Sequence, residues 1–88
     1  MNIGDNVTEV MELFEIEFVT RFGFPNRIYK FVGETGTVFH VNTTLKAASA
    51  IEVGEKRIIT AKVKSVDLVD NALIVFLSKP WIEELEAA

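Results

Sequence analysis

The sequence predicts an all-β fold with a small α content: a five-stranded barrel, a short helix between the third and fourth strands, and a short helix at the C-terminus. Three observations predict it. Apolar and polar residues alternate with a period of two along much of the chain, the mark of strands with one buried face. Turn formers interrupt the alternation at Pro25-Asn26, Gly33-Glu34-Thr35-Gly36, Gly54 and Asp70-Asn71. Two stretches, residues 45–50 and 80–86, carry helix formers instead.

Taken in order, the chain opens with Asn6 and Glu9 at the spacing of a capping box, which predicts a short helical turn. Alternation then begins. Phe14, Ile16, Phe18, Thr20, Phe22 and Phe24 fall on one side, and Glu15, Glu17, Val19 and Arg21 on the other, so a long half-buried first strand is expected. Gly23 within it suggests a bend or bulge, and Phe24-Pro25-Asn26 ends it. Residues 27–32 and 37–42 are the second and third strands, joined as a hairpin by the glycine-flanked turn. Thr43 and Thr44 can cap the helix at residues 45–50, whose end Ile51 would pin to the core. The fourth strand runs over residues 56–66, with Ile59, Ala61 and Val63 facing away from Ile58, Thr60, Lys62 and Lys64. The fifth covers residues 72–78, and its run Leu73-Ile74-Val75-Phe76-Leu77 should be covered on both faces. Pro80 then suits the first position of a helix, with Glu83 and Glu84 near its positive end.

Eighty-eight residues make one domain, read here as a barrel over residues 10–79 followed by an acidic segment, 80–88. There is no cysteine, so neither a disulfide framework nor a thiolate metal site is available. The N-terminus lacks the basic and apolar blocks of a signal peptide, and no apolar run is long enough for a membrane helix. A soluble, cytoplasmic protein without membrane contact is the expectation. The net charge of −4 argues against nucleic acid when the chain is taken whole. Its distribution is uneven: residues 1–19 carry −5, residues 20–65 carry +5 and residues 66–88 carry −4. A basic middle between acidic ends is either a binding surface or an ordinary solvated mixture of charges.

The order of strands, with a helix between the third and fourth, resembles the OB fold. Tyr29-Lys30-Phe31-Val32-Gly33-Glu34-Thr35-Gly36-Thr37-Val38 is similar to the hairpin of the second and third strands in nucleic-acid-binding OB domains. Ile51-Glu52-Val53-Gly54-Glu55-Lys56 resembles the approach to their fourth strand, and Ile74-Val75-Phe76-Leu77-Ser78 their closing strand. The resemblance spans about residues 13–79. It departs where some single-strand binders place a Trp at the end of the third strand, since Thr43 and Thr44 stand near that point. It implies an oligonucleotide site on the second and third strands and on the loops joining strands one to two and four to five.

On that footing Tyr29 and Phe39 are the candidates to stack on bases, and Arg21, Arg27, Lys30, Lys62 and Lys64 the candidates to hold phosphates. The competing reading of the rings is core. A four-residue turn groups Tyr29 and Phe31 with Val38 and His40, whereas a shift of one residue groups them with Phe39 and Val41. His40 has no companion ligands at metal spacing. No hydroxyl has a neighbouring base, and Glu15 with Glu17 reads as a solvated pair, so no enzyme and no cofactor is expected. The expected function is a binding module for single-stranded nucleic acid, DNA in the first instance. The alternative is a protein-interaction or assembly module, using the acidic first strand and Trp81, Ile82 and Leu85 to dock a partner or a second copy. For Trp81 itself the expectation is a helix plugging one end of the barrel.

Overall fold

The protein, described here from a computed structural model over residues 2–42 and 50–84, is a closed five-stranded β-barrel. Its strands are β1 (Asn6–Arg21), β2 (Phe24–Gly33), β3 (Val38–Asn42), β4 (Lys56–Val69) and β5 (Ala72–Glu84). They close in the order β1-β2-β3-β5-β4, with β4 returning to β1. Every pairing is antiparallel except that of β3 with β5.

The barrel starts earlier than residue 10. Asn6 and Glu9 do not cap a helix; they lie in β1, whose Val7, Met11 and Leu13 enter the core. The local turn lies just before, where Gly4 takes a positive φ of 93° and Asn2 and Asp5 bond each other. The alternation changes sense at a bulge between Leu13 and Glu15, so Phe14 is left exposed. Before the bulge odd residues face inward; after it even ones do, and Ile16 packs against the core. Beside this bulge the loop of residues 50–55 is tied on: Gly54 N–H donates to Leu13 O (2.7 Å), Leu13 N–H to Glu55 O (3.0 Å), and Ile51 is buried.

β1 and β2 meet at a two-residue turn, Phe22-Gly23, with φ of 49° and 78°. The break therefore precedes Pro25, which pairs with Thr20 inside the ribbon. β4 and β5 meet at Asp70-Asn71, with φ of 50° and 65°, the paired left-handed conformation of a tight hairpin. Both hairpins are longer than the barrel is tall. Beyond their last contacts with a third strand they continue as two-stranded ribbons, leaving opposite ends of the sheet formed by β2, β3 and β5.

Two expected helices need comment. Residues 45–49 lie outside the described residues, and Ala50 forms part of a turn. The C-terminal helix is replaced by strand, because β5 continues to Glu84. Lys79 takes a positive φ of 52°, the ladder slips between Lys62↔Ser78 and Thr60↔Trp81, and Pro80 sits in that irregularity, where a missing N–H breaks no regular rung. The first half of β4 thereby gains the partner that closes the barrel, with Ile82 inward opposite Ile59 and Trp81 outward opposite Thr60. Trp81 is 67% exposed and is no plug. Leu85 lies outside the described residues.

The core is Val7, Met11, Leu13, Tyr29, Phe31, Phe39, Val41, Ile51, Ile59, Ala61, Val63, Val75 and Leu77, and among the described residues no charged or amide side chain is buried with it. The run in β5 is covered on one face only: Val75 and Leu77 are buried, while Ile74 and Phe76 are half-buried and Leu73 is exposed.

Candidate functional site

The register of β2 with β3 settles which rings face solvent. Phe31 pairs with Phe39 and Tyr29 with Val41, so these four share the inner face. Tyr29 is 2% and Phe39 0% exposed. Neither ring offers a face to a ligand, and both stacking assignments give way to core: a barrel this narrow needs its largest side chains inside. The register follows from the turn, where Gly36 N–H donates to Gly33 O and Gly33 N–H to Thr37 O.

The same register turns Ile28, Lys30 and Val32 of β2 and Val38, His40 and Asn42 of β3 outward. β5 adds Ile74 and Phe76, since His40 lies opposite Phe76 and Val38 opposite Ile74. Together they make the outer face between the two ribbons. At its centre the His40 and Phe76 rings meet edge to face, centroids 5.2 Å apart and planes at 83°. Around them Ile28, Asn42, Lys64 and Leu77 complete a shallow cleft of about 130 Å³. Burial, and after it the positive charge of Lys30, holds His40 below its ordinary pKa of 6.5, against a weaker pull from Glu17 and Glu15. The imidazole is thus neutral at pH 7, a flat, partly apolar ring with a polar edge.

The candidate cations whose side chains are described scatter over this frame. Lys64 lines the cleft, and Lys62 lies on the same outward face of β4, both exposed. Lys30 is also on the outer face, but its ammonium is held by Glu15 (2.8 Å) and Glu17 (3.1 Å), whose bonds raise its pKa. Those carboxylates belong to the face that the alternation sets aside as solvated; they neutralise the one candidate cation of β2 that shares the outer face with His40. Arg27 sits on the opposite face of the β1–β2 ribbon, its guanidinium carbon 5.5 Å from the centroid of the Phe18 ring. Arg21 ends β1, paired with Phe24 beside the turn. The structure therefore brings Lys62 and Lys64 to one face with the aromatic pair, and places Arg27 elsewhere.

Neither His40 nor Phe76, the two rings the cleft exposes, is among the stacking candidates Tyr29 and Phe39, although His40 is half-buried on its strand, as a residue without metal companions would be. The signal was present in the alternation: had Phe31↔Phe39 been fixed, His40 would have followed as outward by parity. Phe76 was hidden because a run of five apolar residues does not say which of its faces is wet. Among the described residues no cluster of three or more His, Asp or Glu side chains is arranged to hold a metal ion, and no helix is long and apolar enough to cross a membrane. Comparison of the chain with protein-family models, curated proteins and solved structures finds no match.

Proposed function

We propose that this chain is a non-catalytic binding module of OB type that holds single-stranded nucleic acid, DNA in the first instance, across the outer face of β2, β3 and β5. The observation that carries the reading is the edge-to-face His40–Phe76 pair in a shallow cleft flanked by Lys64, midway between two projecting hairpins. The strand order, with β3 parallel to β5, is compatible with the OB fold, in which this surface is the one that takes oligonucleotides. Bases would rest on the rings and on Ile28; phosphates would meet Lys64 and Lys62. Stacking supplies about 1–3 kcal/mol per base and accepts any base, so sequence preference is weak.

The test is fluorescence polarisation with a labelled oligo-dT across a salt series, with duplex as control. Single-strand binding that weakens with salt, at a slope of about −0.7 per phosphate neutralised, is expected. His40→Ala with Phe76→Ala should abolish it, and Lys62→Glu with Lys64→Glu should weaken it and flatten the slope. Unchanged affinity in both pairs would remove the cleft from the account.

A second reading, a protein-interaction module, is favoured by one observation: Trp81 stands out from the far side of the barrel, its indole N–H bonded to Glu83 (3.1 Å). An exposed Trp is a common anchor of protein interfaces. Absence of oligonucleotide binding at low salt, together with loss of a partner on Trp81→Ala, is the outcome that would select it.

A further inference from the structure

The barrel has no free edge, but its ribbons do. β4 accompanies β1 only over Asn6–Glu12, and the loop of residues 50–55 adds bonds only at Leu13. From Glu15 to Arg21, among the described residues, β1 is paired on one side alone, by β2. The parity of that pairing is fixed. A two-residue turn makes its flanking pair, Arg21 and Phe24, a hydrogen-bonded one; Gly33, of the opposite parity in β2, bonds to Thr37 on the other side. Glu15, Glu17, Val19 and Arg21 thus spend their backbone groups on β2. The N–H and C=O groups of Ile16, Phe18 and Thr20 point away from it, along the open edge. Such an edge is a template for another strand unless it is blunted. This one has no Pro and no Lys, and its Phe18 is 72% exposed.

We propose that this edge pairs with the same edge of a second copy, antiparallel about a twofold axis through Phe18, to form a continuous ribbon β2-β1-β1-β2. Charge selects the second copy and the register. An axis at Phe18 sets Glu15 of each chain opposite Arg21 of the other, Ile16 opposite Thr20, and Phe18 opposite itself, and each of the outward-pointing backbone groups meets a partner. An axis at Ile16 would set Glu15 against Glu17, and one at Glu17 would set Glu17 against itself, both like-charge pairs that destabilise a sheet. An axis at Val19 would place Ile16 opposite Phe22, which lies in the turn and cannot continue the ladder. The arrangement is isologous, as a closed dimer requires. It buries the two Phe18 rings, each with Arg27 at its side, and leaves the outer face of β2, β3 and β5 free, so it stands independently of what that face binds.

Sedimentation of the whole chain over a wide concentration range should show a monomer–dimer equilibrium. Phe18→Pro removes the N–H at the axis without touching a bond to β2, so its circular dichroism should match the parent while it sediments as monomer throughout. Because the chain has no cysteine, Phe18→Cys provides a second reading: it should cross-link rapidly on oxidation, and Thr20→Cys, whose own copy lies too far away to bridge, should not. A parent that stays monomeric at every concentration, a folded Phe18→Pro that still dimerises, or Thr20→Cys cross-linking as fast as Phe18→Cys would overturn the proposal.

Discussion

The barrel body and the two ribbons that leave it are written in the same alternating code, yet they end in opposite environments. In the body, Met11, Leu13, Tyr29, Phe31 and Phe39 are buried; a few residues along the same strands, Phe18, Leu68 and Leu73 hold equivalent inward parity and are exposed. The difference is the far wall. Where a third strand closes the sheet, an inward side chain meets others across the barrel; where the hairpin has outrun its neighbours, the same orientation faces water. Alternation specifies a strand and a face, and topology decides whether that face is a core.

The sharpest way to break this contrast is to truncate one ring in each region. Phe39→Ala should cost about 3–5 kcal/mol, as for a well-packed core aromatic, and Phe18→Ala less than about 1 kcal/mol, as for a surface site. Urea titrations with matched m-values measure both, the latter at concentrations where the chain is monomeric. Equal losses would mean that the ribbon carries a core of its own.

Next comes a backbone position that only the body constrains. A Cβ on Gly33 would meet the Glu9 carboxylate and lie 3.0 Å from Cε2 of Phe39. Gly33→Ala should therefore cost about 1–3 kcal/mol, the range for overpacking, and Glu9→Ala in the same chain should recover part of it. No recovery would place the strain against Phe39 alone.

The ribbon tip offers the converse. Phe22, 96% exposed, holds a left-handed φ of 49° in a turn where Asn-Gly is the favoured pair. Phe22→Asn should raise stability by about 1 kcal/mol, since a Cβ-bearing residue other than Asn or Asp pays about 1–2 kcal/mol there. Thermal melts of the two proteins give the sign. A loss would show that Phe22 has a packing partner.

How much of this was legible beforehand follows the same division. The presence of five strands and the Asp70-Asn71 turn could be read directly, whereas the first hairpin turns at Phe22-Gly23 rather than at the expected Phe24-Pro25-Asn26. Inward parity across β1 could not be read. The bulge between Leu13 and Glu15 reverses it, and nothing in Leu-Phe-Glu announces an extra residue. The end of β5 was equally hidden. Pro80 followed by Glu83 and Glu84 is a sound helix start taken alone, and only the need of Arg57–Thr60 for a partner makes it strand. On the outer face, Lys62 and Lys64 were legible from spacing on one strand; the burial of Tyr29 and Phe39 and the outward turn of His40 hang on a one-residue register, and Phe76 was masked by the apolar run of β5.

The smallest expected effect lies in the cleft. His40 has a pKa lowered mainly by burial, so the fold favours its neutral form. Its contribution is present above the unfolded value of about 6.5 and is lost as pH falls through the lower folded value. Stability should decline from pH 7 towards pH 5, and His40→Phe should flatten that part of the profile. An unchanged profile would assign the slope to carboxylates.

The central claim is that the outer face of β2, β3 and β5 is the binding surface, and backbone amide shifts on titrating unlabelled oligo-dT into isotope-labelled protein test it most directly. The account predicts shifts concentrated at Ile28, His40, Asn42, Lys64 and Phe76. No shifts at low salt, or shifts gathered at Phe18 and Phe22 or around Trp81 instead, would contradict it.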